Sequence, residues 1–138
     1  MDMNVLFIDD DKATNFFNKR VAKNSDLFQS IAAHQDPKKV IDCLGRDECV
    51  KDFVKPDLIF LDINMPAMTG WEFLEAFYNL SDECKKNIKI VMLSTSNEEE
   101  KAKRLNKAKT IIGYAKKPLR KEYLDNIANV YKSFFDGK

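Results

Sequence analysis

Four groups of reactive side chains stand at the ends of short apolar runs. Asp9-Asp10-Asp11 follows Val5-Leu6-Phe7-Ile8, Asp62 follows Leu58-Ile59-Phe60-Leu61, Ser94-Thr95-Ser96 follows residues 88–93, and Lys117-Pro118 follows residues 111–115. Two or three carboxylates gathered together repel, and at least one is driven towards its neutral form unless a counter-charge intervenes. A hard divalent cation such as Mg²⁺ resolves that conflict, because it takes one or two carboxylates with phosphate oxygens and water. Asp9, Asp10 and Asp62 are the candidate ligands. Lys117 offers a compact point charge for a carboxylate and then for an added phosphoryl oxygen, and the Ser94 hydroxyl offers a donor to another oxygen. Phosphoryl transfer needs little beyond positioning and charge neutralisation, and an Asp carboxylate is a known kind of covalent acceptor. One Asp after an apolar run means little, since Asp caps helices well. Four endings of complementary chemistry are much harder to assign to capping.

Convergence of these groups requires that the runs be neighbouring strands. Short runs rich in Ile, Val and Phe read as strands buried on both faces of a parallel sheet, and the weaker run at 27–33 reads as a further strand. Longer amphipathic stretches lie between them. Residues 12–24 place Ala13, Phe16, Phe17 and Val21 on one stripe, and 119–135 place Leu124, Ile127, Ala128, Tyr131, Phe134 and Phe135 on another. Residues 38–53 and 70–79 predict two more helices. Residues 97–109 have Asn97 as a cap and three Glu where a helix N-terminus favours negative charge. Their apolar stripe is only Ala102, Leu105 and Ala108, which predicts a lightly anchored helix. Alternating strands and helices call for right-handed crossovers and helices on both sheet faces. The expectation is one doubly wound α/β domain over 1–138, with five parallel strands and five helices. In such a sheet, ligands sit beyond the carboxyl ends of the strands.

Composition narrows the partners. With 23 Lys+Arg against 22 Asp+Glu, no basic field draws nucleic acid or an anionic membrane. Cys43, Cys49 and Cys84 are odd in number and lack CxxC spacing, which disfavours a disulfide framework or a zinc site and predicts reduced thiols. The chain opens into acidic residues without a basic leader, and no apolar run approaches the roughly 20 residues that span a bilayer. A soluble cytoplasmic protein is expected.

The stretch Asp62-Ile63-Asn64-Met65-Pro66, with Gly70 following, resembles the phosphoacceptor loop of response-regulator receiver domains. The acidic run, the hydroxyl residue and the Lys-Pro pair resemble the same CheY-like family in the same order, across essentially the whole chain. The resemblance implies a flavodoxin-like sheet of order 2-1-3-4-5. It also implies a stand-alone response regulator of a two-component system that takes a phosphoryl group from a histidine kinase or histidine phosphotransfer protein. Asp62 resembles the phosphorylated aspartate, and Asp9 and Asp10 the acidic pair that binds Mg²⁺. Asn64 resembles the residue whose backbone carbonyl completes the metal shell, Lys117 the conserved lysine, Ser94 the switch hydroxyl, and Tyr114 its aromatic rotamer partner. Such a protein acts as a phosphoacceptor rather than a turnover enzyme, and signals to a downstream protein as a monomer or a phosphorylation-dependent dimer. The segment Lys107-Ala108-Lys109-Thr110 departs from the small Gly/Ala turn that often precedes the fifth strand in this family, which puts the turn's backbone in doubt.

Other readings compete at single positions. Asp11 is better taken as a helix cap than as a ligand. Thr95 replaces Ser94 if the strand ends one residue later. Trp71 packs beside the loop, and His34 reads as a surface loop residue. A phosphohydrolase with an aspartyl-phosphate intermediate usually carries a second Asp two residues after its nucleophile, and Asn64 stands there. A non-phosphorylated interaction module of the same shape would be suggested by loss of the acids or lysine, and none is lost. Nucleotide-binding glycine motifs are absent.

Overall fold

The structure, a computed structural model, describes residues 3–45 and 52–135. Its elements in chain order are β1 (Asn4–Ile8), α1 (Lys12–Ser25), β2 (Ser30–His34), α2 (Pro37–Leu44), β3 (Leu58–Asp62), α3 (Gly70–Tyr78), α4 (Asp82–Lys85), β4 (Lys89–Ser94), α5 (Glu99–Leu105), β5 (Ile111–Lys116) and α6 (Lys121–Ser133). The five strands form one sheet of order β2-β1-β3-β4-β5, and every pairing is parallel. The doubly wound α/β expectation and its strand order are correct.

Continuous apolar strands arise here because both sheet faces are covered. Side-chain alternation sends Leu6, Ile8, Ile59, Leu61, Ile90 and Met92 to one face, where Val40, Phe73, Phe77 and Ala102 pack on them. The other face gathers Val5, Phe7, Phe60, Val91 and Leu93 against Ala22, Leu124, Ile127, Ala128 and Tyr131. Thus α2, α3 and α5 cover one side, and α1 and α6 the other. Among the described residues there are six helices rather than five, because Ser81 caps an extra single turn, accepting from the Cys84 amide at 3.2 Å.

Several local expectations are corrected. On α1 the buried residues are Asn15, Asn18 and Ala22, while Phe16 and Phe17 are 63% and 45% exposed. Polar satisfaction outweighs hydrophobicity there: Asn15 Nδ2 donates to the Asp9 carbonyl at 2.8 Å and to the His34 carbonyl at 3.5 Å. The helix expected over 38–53 starts at Pro37 and has its described part end at Leu44, with 46–51 outside the described residues. His34 is the half-buried last residue of β2, 5.9 Å from the Phe53 ring, rather than a surface loop residue; burial, then Lys19, pushes its pKa down. Cys43 is disulfide-bonded and Cys84 is a free thiol, which corrects the expectation of reduced thiols throughout. An odd count forbids complete pairing but not a single bridge.

The turn before β5 keeps a left-handed backbone without glycine. Ala108 and Lys109 have φ of 53° and 55°, and the Thr110 amide closes the turn on the Lys107 carbonyl at 3.0 Å. Ala108 therefore lies outside α5 and adds nothing to its apolar stripe. Left-handed geometry costs an L-residue roughly 1–2 kcal/mol. Lys109→Gly is expected to raise the unfolding free energy by about 1 kcal/mol, net of glycine's larger entropy loss. Urea unfolding measures it, and an unchanged or lowered midpoint would show that the turn stores no such strain.

Candidate functional site

Backbone hydrogen bonds bring the four strand ends to one edge. The Asp9 amide donates to the His34 carbonyl at 3.2 Å, the Ile63 amide to the Leu93 carbonyl at 3.0 Å, and the Lys117 amide to the Ser94 carbonyl at 2.9 Å. Asp9, Asp62 and Lys117 are thereby placed around one crevice. Asp9 and Asp62 are only 2% and 3% exposed, whereas Asp10 is exposed. One carboxylate oxygen from each of Asp9, Asp10 and Asp62 lies within 4.8 Å of the others.

Lys117 holds two of them together. Its Nζ donates to Asp9 Oδ2 at 2.7 Å and to Asp62 Oδ1 at 3.0 Å. The other Asp9 oxygen accepts from the Asp11 amide at 2.9 Å. Burial pushes the Asp62 pKa up and the Asp9 charge adds to this, while the Lys117 hydrogen bond opposes both. For Lys117, burial alone would lower the pKa, but hydrogen bonds to Asp9 and Asp62 outweigh it and the net shift is upward. Three carboxylates against one ammonium leave the cluster anionic. That donor set, all hard oxygens at short range, fits a divalent metal ion.

The loop after Asp62 is tied down from α3. Asn64, exposed, donates its amide to Asp62 Oδ1 at a long 3.4 Å. Gly70 donates to the Ile63 carbonyl at 2.8 Å. A Cβ on Gly70 would meet the Asp62 carbonyl oxygen at 2.7 Å and Ile63 Cα at 2.9 Å, so glycine permits this close approach. Thr69 and Glu72 then cap α3 reciprocally, at 3.1 and 2.8 Å.

The hydroxyl residues part company. Ser94 ends β4 fully buried, whereas Thr95 is exposed. Ser94 Oγ lies 3.1 Å from Ser96 Oγ and accepts from the Ser96 amide at 3.0 Å. Tyr114 is half-buried on β5; its hydroxyl accepts from the Glu98 amide at 2.8 Å and donates to the Ser96 carbonyl. Asp11 caps α1, its Oδ2 accepting from the Thr14 amide at 3.1 Å. Trp71 packs on the core beside the loop, with its indole N–H donating to Glu98. Beside Lys117 a cleft of ≈ 430 Å³ opens between α1 and residues 117–119, walled by Phe17, Thr95 and Leu119.

Residues 5–129 match the model of the response regulator receiver domain. The chain belongs to that family. Response regulator Rcp1 of Synechocystis sp. is 28% identical over 96 residues, which cover 70% of this chain and 64% of that protein, under two thirds of its length. Among solved structures, a two-component response regulator from Cytophaga hutchinsonii superposes with a TM-score of 0.80 at 25% identity, over 96% of this chain and 99% of that one. The Vibrio cholerae chemotaxis protein CheY4 superposes with a TM-score of 0.71 at 24% identity, over 94% and 99%, a likeness of fold. Receiver domains are signalling modules of two-component systems. Among the described residues no helix is long and apolar enough to cross a membrane.

Glu98 escaped the sequence reading of this receiver. A Glu inside an acidic run looks like a helix-dipole charge, and no sequence signal separates it from Glu99 and Glu100. Lys117→Met tests the ion cluster, since it leaves two buried carboxylates without their ammonium. Loss of one partner of such a set typically costs about 3–5 kcal/mol. The expected result is destabilisation of that order at neutral pH, partly recovered as pH falls and Asp62 takes up a proton. Unfolding curves at pH 7 and pH 4.5 measure it, and equal stability of variant and wild type at pH 7 would dismiss the ammonium as the cluster's support.

Proposed function

We propose that this receiver accepts a phosphoryl group on Asp62 from a phosphohistidine of a histidine kinase or histidine phosphotransfer protein, and hands the change to a downstream protein. The observation that carries this reading is the single Lys117 ammonium bonded to two buried carboxylates at 2.7 and 3.0 Å, with Asp10 alongside.

Asp62 Oδ1 is engaged by Lys117, and among the described residues no donor is recorded on Oδ2. In the transfer an Asp62 oxygen attacks phosphorus, the P–N bond breaks, and its electron pair leaves with the protonated imidazole. Lys117 then exchanges its carboxylate partner for a phosphoryl oxygen. Asp9, Asp10 and Asp62, with the Asn64 carbonyl, would hold Mg²⁺, which would supply charge neutralisation. The cleft beside Lys117, with exposed Phe16 and Phe17 on α1, offers apolar surface near the crevice for a donor protein.

The product carries about two negative charges where one carboxylate stood. Ser94 donates to a phosphoryl oxygen, and Tyr114, bonded to the segment Ser96–Glu98, moves with it. Shifting a population from 1:99 to 99:1 takes about 5.5 kcal/mol. A few charge-assisted hydrogen bonds of roughly 1.5–3 kcal/mol each supply that. Incubation with Mg²⁺ and acetyl phosphate, followed by intact mass, is expected to show a labile phosphoryl adduct on wild type and none on Asp62→Asn. Equal labelling of the two would remove Asp62 from the reaction.

A further inference from the structure

Glu98 occupies the N-cap of α5 but does not cap it. An N-cap side chain normally accepts from an amide in the first turn, and the Glu98 side chain makes no such bond. Its carboxylate is spent elsewhere, one oxygen on each neighbour. Ser96 Oγ donates to Oε2 at 3.1 Å, and the Trp71 indole N–H donates to Oε1 at 3.3 Å. The geometry alone leaves either hydroxyl as donor between Ser94 and Ser96, 3.1 Å apart. Glu98 decides the matter. A carboxylate only accepts, and a serine has one hydroxyl proton. The Ser96 proton is committed to Glu98, so the proton between the two serines belongs to Ser94 and points at Ser96.

That direction has a consequence for the site. Ser94 cannot donate to a phosphoryl oxygen while its proton points at Ser96. Once it turns away, Ser94 Oγ is left as an acceptor, and the Ser96 proton can swing back to it and release Glu98. We propose that Glu98 is a positioning residue that sets the proton direction of Ser94 at rest and reports its reversal to Trp71. This rests on the reading of Asp62 as a phosphoryl acceptor. The hydroxyl chain Ser94–Ser96–Glu98–Trp71 links the buried strand end to the first turn of α3, over which Lys101 of α5 also sits, 5.0 Å from the indole ring.

Trp71 is the only tryptophan, so intrinsic emission of the full chain reads this link directly. Emission and intact mass are measured on the same samples, with Mg²⁺ alone and with Mg²⁺ plus acetyl phosphate. Wild type is expected to become phosphorylated and to shift its emission to longer wavelength as the indole N–H passes to water. Glu98→Asn improves the cap but is too short to bridge both neighbours. It is expected to fold at least as stably and to accept phosphate, with emission already shifted at rest and unresponsive. Ser96→Ala removes the hydroxyl that holds Glu98 and is expected to show emission already shifted at rest, phosphorylation, and no further change. Glu98→Gln keeps the Trp71 bond through its amide oxygen but donates to Ser96 from its amide nitrogen, so the Ser96 proton points at Ser94 already at rest; it is expected to show wild-type emission at rest, phosphorylation, and no shift. A phosphorylated Glu98→Asn or Ser96→Ala protein whose emission moves as in wild type overturns the role of Glu98. A wild type that takes no phosphoryl group overturns the reading of Asp62, and this one with it.

Discussion

A single ammonium compensates two carboxylates that the fold has taken out of water. Asp9 and Asp62 end adjacent strands, β1 and β3, in the middle of the sheet, and nearly all of their surface is covered. Exposed ion pairs contribute little, because water screens them. Here water is excluded, and an unpaired carboxylate would be costly. Lys117 reaches both from β5, the far edge strand, so its placement depends on how β5 is phased against β4. Ile90 faces Ile111, but Val91 faces Gly113, so Ile112 is an extra residue on β5. A one-residue slip moves every later side chain to the opposite face. With the extra residue in place, Tyr114 stands opposite Met92 on the α5 side, and Lys116 opposite Ser94. Lys117 then follows at the crevice. The irregularity in the least regular pairing therefore sets the position of both the ammonium and the aromatic hydroxyl.

The parts of this arrangement that were legible in the sequence are those dictated by burial on two faces. Strands β1, β3 and β4 are unbroken apolar runs because helices cover both sides, and the polar residue that ends each run marks the edge of the sheet. That is why Asp9, Asp62, Ser94 and Lys117 could be picked out by position and type. What misled was periodicity without polar accounting. On α1 the apolar stripe through Phe16 and Phe17 faces outward, because the strand-end carbonyls of Asp9 and His34 need the Asn15 amide, and Asn15 carries Asn18 and Ala22 inward with it. Among the described residues Asn15 Oδ1 is left buried without a partner, a measure of how strongly those two carbonyls fix the residue. The turn at 107–110 lacks a glycine, yet Ala108 and Lys109 adopt the glycine-like backbone regardless. Antecedent residues decide it: Asn106 pairs both its amide and its carbonyl with the backbone of Ile111, at 2.9 and 2.8 Å, clamping the ends of the turn.

The same clamping of ends recurs along α5. Its buried apolar contribution is Ala102 with half-buried Leu105, so little hydrophobic area resists its displacement. Polar contacts at its two ends supply the rest. At the C-terminal end the Tyr78 hydroxyl donates to the Leu105 carbonyl at 2.9 Å and accepts from the Lys107 amide at 3.0 Å. At the N-terminal end stand Glu98, Trp71 and Tyr114. Hydrogen bonds of this kind contribute roughly 0.5–1.5 kcal/mol each, and a helix held by a few of them opens at lower free energy than one set in a core.

The two ends differ in what they are attached to. Tyr78 lies on α3, and both bonds of its hydroxyl are to backbone. At the other end, the Ser94 and Tyr114 hydroxyls both terminate on residues 96–98: Ser94 on the Ser96 amide and hydroxyl, Tyr114 on the Ser96 carbonyl and the Glu98 amide. The Ser96 peptide groups thus bond to a β4 residue on one side and a β5 residue on the other. Ser94 also meets the end of β5 directly, facing Lys116 and, through its carbonyl, accepting from the Lys117 amide at 2.9 Å. The hydroxyl contacts of Ser94 and Tyr114 meet in this three-residue turn, and the turn is anchored to α3 through the Glu98 carboxylate alone among the hydrogen bonds that its own side chains make. The strand end at Ser94 is thereby bonded to the N-terminal end of α5 through residues 96–98, while the Tyr78 hydroxyl ties its C-terminal end to backbone alone.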